Sequence, residues 1–171
     1  GEWSFGFAVD LRPNAWGSAH TAPASFTMNG GTVKSTDTAV RIASNSSDSY
    51  PELGVTFTMN GGSITGNAAG KKGGGVYLIG LGENQTVGSF TVNGNSVISG
   101  NMVKDEANNV YLETPLSIGS DLSTTASVGI TASTTPTDAG LEIASSGATE
   151  KNKSAFVSDN INYAIVQKAG K

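Results

Sequence analysis

The chain of 171 residues lacks cysteine, has a single histidine and contains only two arginines, Arg12 and Arg41. Without cysteine it can form no disulfide, no thiolate metal site and no thiol nucleophile. Its 10 basic residues are outnumbered by 14 acidic ones, so the formal net charge is −4. Nucleic acids require a clustered basic surface, and we therefore expect no nucleic-acid partner.

Long apolar runs are missing as well. No stretch approaches the roughly 20 apolar residues of a membrane-spanning helix, so we expect no membrane insertion. Helical apolar spacing never continues for ten residues without a glycine interruption. The abundant residues are instead glycine, serine and threonine, with 23, 21 and 18 copies. Such a composition is typical of strands joined by tight turns.

One segment of the chain is repeated three times. It begins at Phe26, Phe57 and Phe90, and reads Phe-Thr-Met-Asn-Gly-Gly in two copies and Phe-Thr-Val-Asn-Gly-Asn in the third. Apolar side chains that alternate with threonine are typical of a strand with one buried face. The Asn-Gly pair favours a sharp change of direction, because both residues accept positive φ. A repeat period of a few tens of residues indicates a solenoid, whose units bury their apolar faces against one another.

A second repeated element closes each unit. It begins at Val40, Val76 and Val110, with a fainter copy at Val9, so the spacings are 31, 36 and 34 residues. Unequal spacing is typical of solenoid coils that carry loops of different length at their corners. With a short strand between the two elements, each unit is predicted to contain three strands.

These patterns predict an all-β fold, a right-handed parallel β-helix with three strands per coil and about four coils. Residues 1–112 are predicted to form the repeat coils, and residues 113–171 to form degenerate coils and a C-terminal β cap that continue the same domain. Stacking in register predicts four inward columns of side chains: Phe26/Phe57/Phe90, Met28/Met59/Val92, Val33/Ile64/Ile98 and Val9/Val40/Val76/Val110. The corner residues Asn29, Asn60 and Asn93 are expected to form a ladder of side-chain amides. One extra residue in the third copy predicts a β-bulge near Asn95.

The last third of the chain lacks the Phe-Thr-Met-Asn element. Terminal units of solenoids are atypical, because an open end exposes unpaired strand edges. We predict strands in this region at residues 116–118, 127–131, 141–143 and 161–165, where aliphatic residues alternate with polar ones.

The Phe-x-x-Asn tetrads at residues 26–29, 57–60 and 90–93 and the Gly-Gly-Val-Tyr segment at 74–77 resemble a known class of repeats. These are the repeats of bacterial surface-exposed right-handed parallel β-helix proteins, among them the polymorphic outer-membrane protein repeat family. The resemblance covers roughly the first two thirds of the chain. It implies adhesion, display or carbohydrate contact outside the cell.

The candidate binding residues are Tyr77, Tyr111, Arg41 and Asp10. Each is the middle residue of the Val-x-Leu or Val-x-Ile element, so the four are expected to share one outward column, with Tyr77 stacked on Tyr111. Exposed aromatic rings offer a platform to sugar rings and protein partners. The alternative is that the pair only stabilises the sheet.

Two further functions stay open from the sequence. A polysaccharide-degrading enzyme of the pectate-lyase kind uses clustered aspartates, whereas the aspartates here are scattered among loops. They are Asp37, Asp48, Asp105, Asp121, Asp138 and Asp159. An ice-binding β-solenoid presents regular rows of threonine, and the first strand offers two short rows of outward hydroxyls. These rows are Ser25/Thr56/Ser89 and Thr27/Thr58/Thr91.

We predict an extracellular protein of the bacterial cell surface, a piece of a larger exported protein that acts as an adhesion or display scaffold. Its expected partner is a host or microbial glycan or a surface protein, bound without covalent chemistry. We expect no catalytic residue, no cofactor and no metal. The chain is expected to be a monomer, or to make end-to-end or edge contacts with other copies.

Overall fold

The structure, a computed structural model, describes residues 6–12, 23–43, 54–80 and 88–168. Within these ranges the chain forms strands and one short 3-10 helix, Lys153–Ala155. The described residues include no helix that is long and apolar enough to cross a membrane. In chain order the strands are β1 (Val9–Leu11), β2 (Ala24–Met28), β3 (Thr32–Val33), β4 (Val40–Ile42), β5 (Val55–Thr65), β6 (Ala68–Ala69), β7 (Val76–Leu78), β8 (Ser89–Ser99), β9 (Met102–Val103), β10 (Glu106–Ala107), β11 (Val110–Leu112), β12 (Leu116–Ile118), β13 (Ser127–Ala132), β14 (Ala144–Ser146) and β15 (Phe156–Ser158).

The strands stack in parallel, and each coil pairs with the next. The first-strand positions of successive coils are β2, the start of β5, the start of β8, β12 and β14. The second positions are β3, the ends of β5 and β8, the start of β13, and β15. The third positions are β1, β4, β7, β11 and the end of β13. The fold is therefore a parallel β-solenoid of about four turns, as the repeats predict.

The core is built from columns of like side chains. Phe26, Phe57 and Phe90 lie directly above one another, with ring centroids 5.2 and 4.9 Å apart and nearly parallel planes. The other three predicted columns are in register too. Because every second residue of a strand points inward, one repeated sequence pattern becomes a continuous apolar interior. Phe57 and Phe90 are fully buried within it.

The Asn-Gly corner differs from the predicted break between two strands. In the second and third coils the first and second strands run on as one 11-residue strand, β5 and β8. The corner bends the chain while the parallel pairing continues on both sides of it. The predicted bulge is confirmed, since Asn60 of β5 lies opposite both Asn93 and Gly94 of β8. Gly94 has φ +53°, a conformation that favours glycine.

The amide ladder predicted at this corner is confirmed as well. The Asn60 Nδ2 group donates to Asn29 Oδ1 at 2.8 Å, and the Asn93 Nδ2 group donates to Asn60 Oδ1 at 3.5 Å.

The last third of the chain continues the stack, with two corrections to the predicted strands. The strands expected at 116–118 and 127–131 are present as β12 and β13. Residues 141–143 form no strand, and β14 follows them instead. Residues 161–165 also form no strand, because the chain turns after Asn160 and pairs with no neighbouring strand. Ile161 is 97% exposed, whereas Ile165 packs against the core. The last coil is completed by β15, where Phe156 provides the buried residue.

Candidate functional site

The four predicted binding residues share one outward column. Asp10 pairs with Arg41, Arg41 with Tyr77, and Tyr77 with Tyr111, each in direct parallel register. The flanking valine and leucine or isoleucine of each strand point into the core, so the middle residue must point outward. The sequence prediction of this column is confirmed in its placement, and all four side chains are partly exposed.

At the first two coils the column is an ion pair. The Arg41 Nε and NH2 groups donate to the two oxygens of Asp10 at 2.8 and 2.9 Å. The Arg41 guanidinium also lies 4.4 Å from the ring centroid of Phe7, and Arg12 contacts Asp10 at 2.6 Å. A bidentate arginine that also stacks on a ring has its donors and one face engaged. Arg41 and Asp10 are therefore largely occupied with each other.

At the next two coils the tyrosines meet edge to face rather than stacked. Their ring centroids are 5.6 Å apart with an interplanar angle of 83°, an arrangement that aromatic quadrupoles favour over a parallel sandwich. The Lys72 ammonium lies 5.5 Å from the Tyr77 centroid and 5.0 Å from the Tyr111 centroid. The expected stacking of Tyr77 on Tyr111 is therefore wrong, since the two rings are nearly perpendicular. The Lys72 ammonium packs against both of them.

Glu113 completes this group, which we call the tyrosine cluster: Lys72, Tyr77, Tyr111 and Glu113. Glu113 accepts hydrogen bonds from Lys72 Nζ at 2.7 Å and from the Tyr77 hydroxyl at 2.8 Å. Lys72 lies on the connection before β7 and Glu113 directly follows β11, so the cluster joins two successive coils. The sequence reasoning missed Lys72 and Glu113, since neither belongs to the repeated pattern.

The charges of the tyrosine cluster are fixed by these contacts. The hydrogen bond to Glu113 raises the pKa of Lys72 above its usual range, against a smaller opposing effect of burial. Burial acts to raise the pKa of Glu113, but the hydrogen bonds from Lys72 and Tyr77 outweigh it and leave that pKa lowered. Burial, followed by the hydrogen bond to Glu113, raises the pKa of Tyr77. At neutral pH Lys72 is thus protonated and Glu113 ionised, the opposite of what a nucleophilic lysine or a general acid requires.

In the described part of the chain no three histidine or acidic side chains converge in a way that could hold a metal ion. Asp48 and His20 lie outside the described residues. Asp159, by contrast, has a structural role. Its carboxylate accepts hydrogen bonds from the Asn109 backbone and side chain at 2.7 and 2.6 Å and from the Thr131 hydroxyl at 2.6 Å.

Asp159 ends a second asparagine ladder that the sequence reasoning did not predict. The Asn67 amide donates to Asn101 Oδ1 at 2.7 Å, and Asn101 Nδ2 donates to Asn109 Oδ1 at 3.0 Å. The three asparagines are at most 5% exposed. A Gly-Asn pair recurs after the second strand, at residues 66–67 and 100–101. This recurrence is the sequence feature that indicates the ladder.

The outward hydroxyl rows of the first strands are in register, as predicted. Ser25, Thr56 and Ser89 lie side by side, and Ser89 Oγ donates to Thr56 Oγ1 at 3.2 Å. The Thr27/Thr58/Thr91 row is continued by Ser117 of β12. The result is a small regular patch of hydroxyl groups on a different strand position from that of the tyrosine cluster.

Comparison of the chain with family models, with curated proteins and with solved structures gives no match.

Proposed function

We propose that this chain is part of an extracellular protein of the bacterial cell surface and acts as an adhesion or display scaffold. It binds a glycan or protein partner without covalent chemistry. The observation that carries the proposal is the register of the third strands, whose ends at Leu11, Ile42, Leu78 and Leu112 lie in one row along successive coils. The resemblance to surface-exposed β-helix repeats supports the extracellular setting.

The connections that follow the third strands differ in length. Those after β1, β4, β7, β11 and β13 contain 12, 12, 10, 3 and 11 residues. The strands themselves end in register at Leu11, Ile42, Leu78 and Leu112. Neighbouring strands of a sheet are about 4.8 Å apart, so the points of departure form one closely spaced row. This row of strand ends, with the tyrosine cluster beside it, is the surface that we propose meets a partner.

A solenoid is well suited to carry a recognition surface along one edge of its coils. Each coil contacts only its neighbours, so a connection can change in length and sequence without altering the core columns. Rigid elements that carry variable loops are a frequent basis of recognition in proteins. The tyrosine cluster lies beside the row, since Glu113 begins the connection after β11 and also accepts a hydrogen bond from the backbone of Gly80 at 3.2 Å.

The tyrosine cluster is the proposed anchor on this face. Lys72 keeps 44% of its side chain exposed, and its ammonium group can donate to ring hydroxyls of a sugar or to a carbonyl of a protein. The half-exposed rings of Tyr77 and Tyr111 supply apolar contact area beside it. Affinity in such an interface depends on a few anchors rather than on the total area.

The test is binding of the labelled protein to a glycan array and to bacterial and host cells. We expect the double variant Tyr77→Ala/Tyr111→Ala to lose binding, and Thr58→Ala/Thr91→Ala, on the hydroxyl rows, to serve as the matched control that retains it. Melting temperatures of both variants verify folding. Binding that survives in the folded tyrosine variant would remove the cluster as the anchor. Absence of wild-type binding to every glycan and cell would contradict the adhesive function itself.

A second candidate function, ice binding, is favoured by the register of the hydroxyl rows. Flat regular rows of threonine are the feature that such proteins share, although here each row spans only three or four coils. Thermal hysteresis of a concentrated solution tests it directly. Hysteresis that disappears in Thr58→Ala/Thr91→Ala would establish this function, and none in the wild type would exclude it.

A further inference from the structure

In the part of the chain that the structure describes, exposed large apolar side chains are concentrated at the C-terminal end of the stack. Among the described residues six such side chains are exposed, and five belong to the last coils or to the segment 159–168 that follows them. The five are Leu141, Val157, Ile161, Tyr163 and Val166, and the sixth is Met102 on the β9–β10 hairpin. We call the five residues the end patch. Clustered apolar exposure of this kind marks an interaction surface.

The end patch contains both a projection and a recess. A groove of about 960 Å³ lies between the connection after β13 and the segment 159–168. Its apolar lining includes Ile130, Ile143 and Ile165. Ile161 stands at the rim of this groove and is 97% exposed. A side chain that projects beside an apolar recess can fill the same recess on a second copy.

Acidic and basic side chains at this end of the molecule occupy different places. Glu106, Asp138 and Asp159 line the groove, and no lysine or arginine does so among the described residues. Lys151 and Lys168, both exposed, lie outside the groove on the last coil and on the terminal segment. A second copy that approaches end to end brings its lysines toward the acidic rim.

We propose that the end patch is a docking surface for the end patch of a second copy of this chain, in a two-fold arrangement. Ile161 of each copy enters the groove of the other. In a two-fold interface each contact occurs twice, so a patch that carries both partners of a contact is self-complementary. The arrangement closes at two copies.

Sedimentation velocity and light scattering over a concentration series provide the first test. We expect the mass to rise from 17.3 kDa to twice that value and to rise no further. Ile161→Asp should weaken dimerisation at least tenfold, because it places a carboxylate in an apolar and acidic groove. Met102→Asp is the matched control, since Met102 is an exposed large apolar residue outside the end patch. It should dimerise like the wild type.

Because the chain has no cysteine, single spin labels define the orientation. Ser25 and Ser145 lie in the first and last strands of one column, four strand spacings apart, which is about 19 Å. In the proposed dimer the two labels at Ser145→Cys are closer together than the two at Ser25→Cys by about 40 Å. Head-to-tail stacking gives equal separations for the two sites and open-ended growth in mass.

A monomer at all concentrations, equal label separations, or an Ile161→Asp variant that dimerises like the wild type would each overturn the proposal. Far-UV circular dichroism verifies that the variants are folded, which is expected because both substituted side chains are exposed.

Discussion

Removal of the Asn101 side chain is predicted to destabilise the protein by about 3 kcal/mol or more. Asn101 is fully buried, and its side chain bonds to the coil that contains β5. Its Oδ1 accepts from the backbone and side-chain nitrogens of Asn67 at 3.1 and 2.7 Å, and its Nδ2 donates to the carbonyl of Ile64 at 2.8 Å. In Asn101→Ala these three buried groups lose their partner. A buried polar group without a partner costs about 1–3 kcal/mol, so even the low end of the range gives about 3 kcal/mol.

The exposed ladder supplies the matched comparison. Asn60 makes the same kind of amide contact to its neighbours above and below, at 2.8 and 3.5 Å, but it is exposed. After Asn60→Ala, water replaces the lost partners, and we expect a loss of only about 0.5–1 kcal/mol. Urea unfolding followed by circular dichroism measures both values. Equal losses for the two variants would refute the reasoning, because the predicted difference comes from the buried groups that lose a partner at Asn101.

Asn101→Asp separates hydrogen bonding from volume, since the two side chains have nearly the same shape. The introduced carboxylate still accepts from Asn67 but cannot donate, and it lies against the oxygens of Ile64 and Asn109. Burial and these oxygens raise the pKa of the introduced group above its unfolded value. Stability is therefore expected to be highest at acidic pH and to fall as the pH rises through the raised pKa. A stability that does not change between pH 4 and pH 7, relative to the wild type, would contradict this.

Four other variants test the core, a strained turn and the tyrosine cluster. Phe57→Ala should cost about 3–5 kcal/mol and Phe26→Ala less than half of that, because Phe57 is fully buried between two rings and Phe26 is half-buried in the first described coil; urea unfolding measures both. The β9–β10 hairpin turns through Lys104 and Asp105 with φ of 50° and 69°, so Lys104→Asn/Asp105→Gly should raise stability by about 1 kcal/mol, and an unchanged urea midpoint would contradict the strain. Glu113→Gln should reduce stability by about 0.5–1 kcal/mol at neutral pH. Because the folded pKa of Glu113 is lowered from 4.5, this difference is full above that value and disappears as the pH falls through the folded pKa, which thermal unfolding at a series of pH values measures.

The inward half of the fold could be predicted from the sequence because inward residues repeat. A column such as Phe26/Phe57/Phe90 can be recognised in the sequence from the repeat alone. Parallel stacking then brings residues at the same position of the repeat into contact. The outward column from Asp10 to Tyr111 follows by alternation. Both predictions needed only the period of 2 within a strand and the period of the coil.

The residues that the sequence reasoning missed are those outside the period. Lys72 and Glu113 contact each other beside the tyrosines, and both lie on connections between strands. Neither belongs to the repeated pattern, so the repeats do not predict them. Residues 161–165 show the reverse error, since their alternation has the form of a strand without a neighbour to pair with. The alternation of apolar and polar residues indicates which face of a strand is apolar, but it does not indicate whether the segment pairs with a neighbouring strand.

The buried ladder gives a physical reason why its own repetition stops at Asp159. Each asparagine accepts a hydrogen bond on its carbonyl oxygen and donates one from its amide nitrogen, so donation runs in one direction from Asn67 through Asn101 to Asn109. An asparagine in the last position would carry an amide that still needs an acceptor. The carboxylate of Asp159 accepts from Asn109 and Thr131 and has no proton to donate. The last member of the ladder is thus an acceptor only, and a buried polar column ends without an unpaired donor.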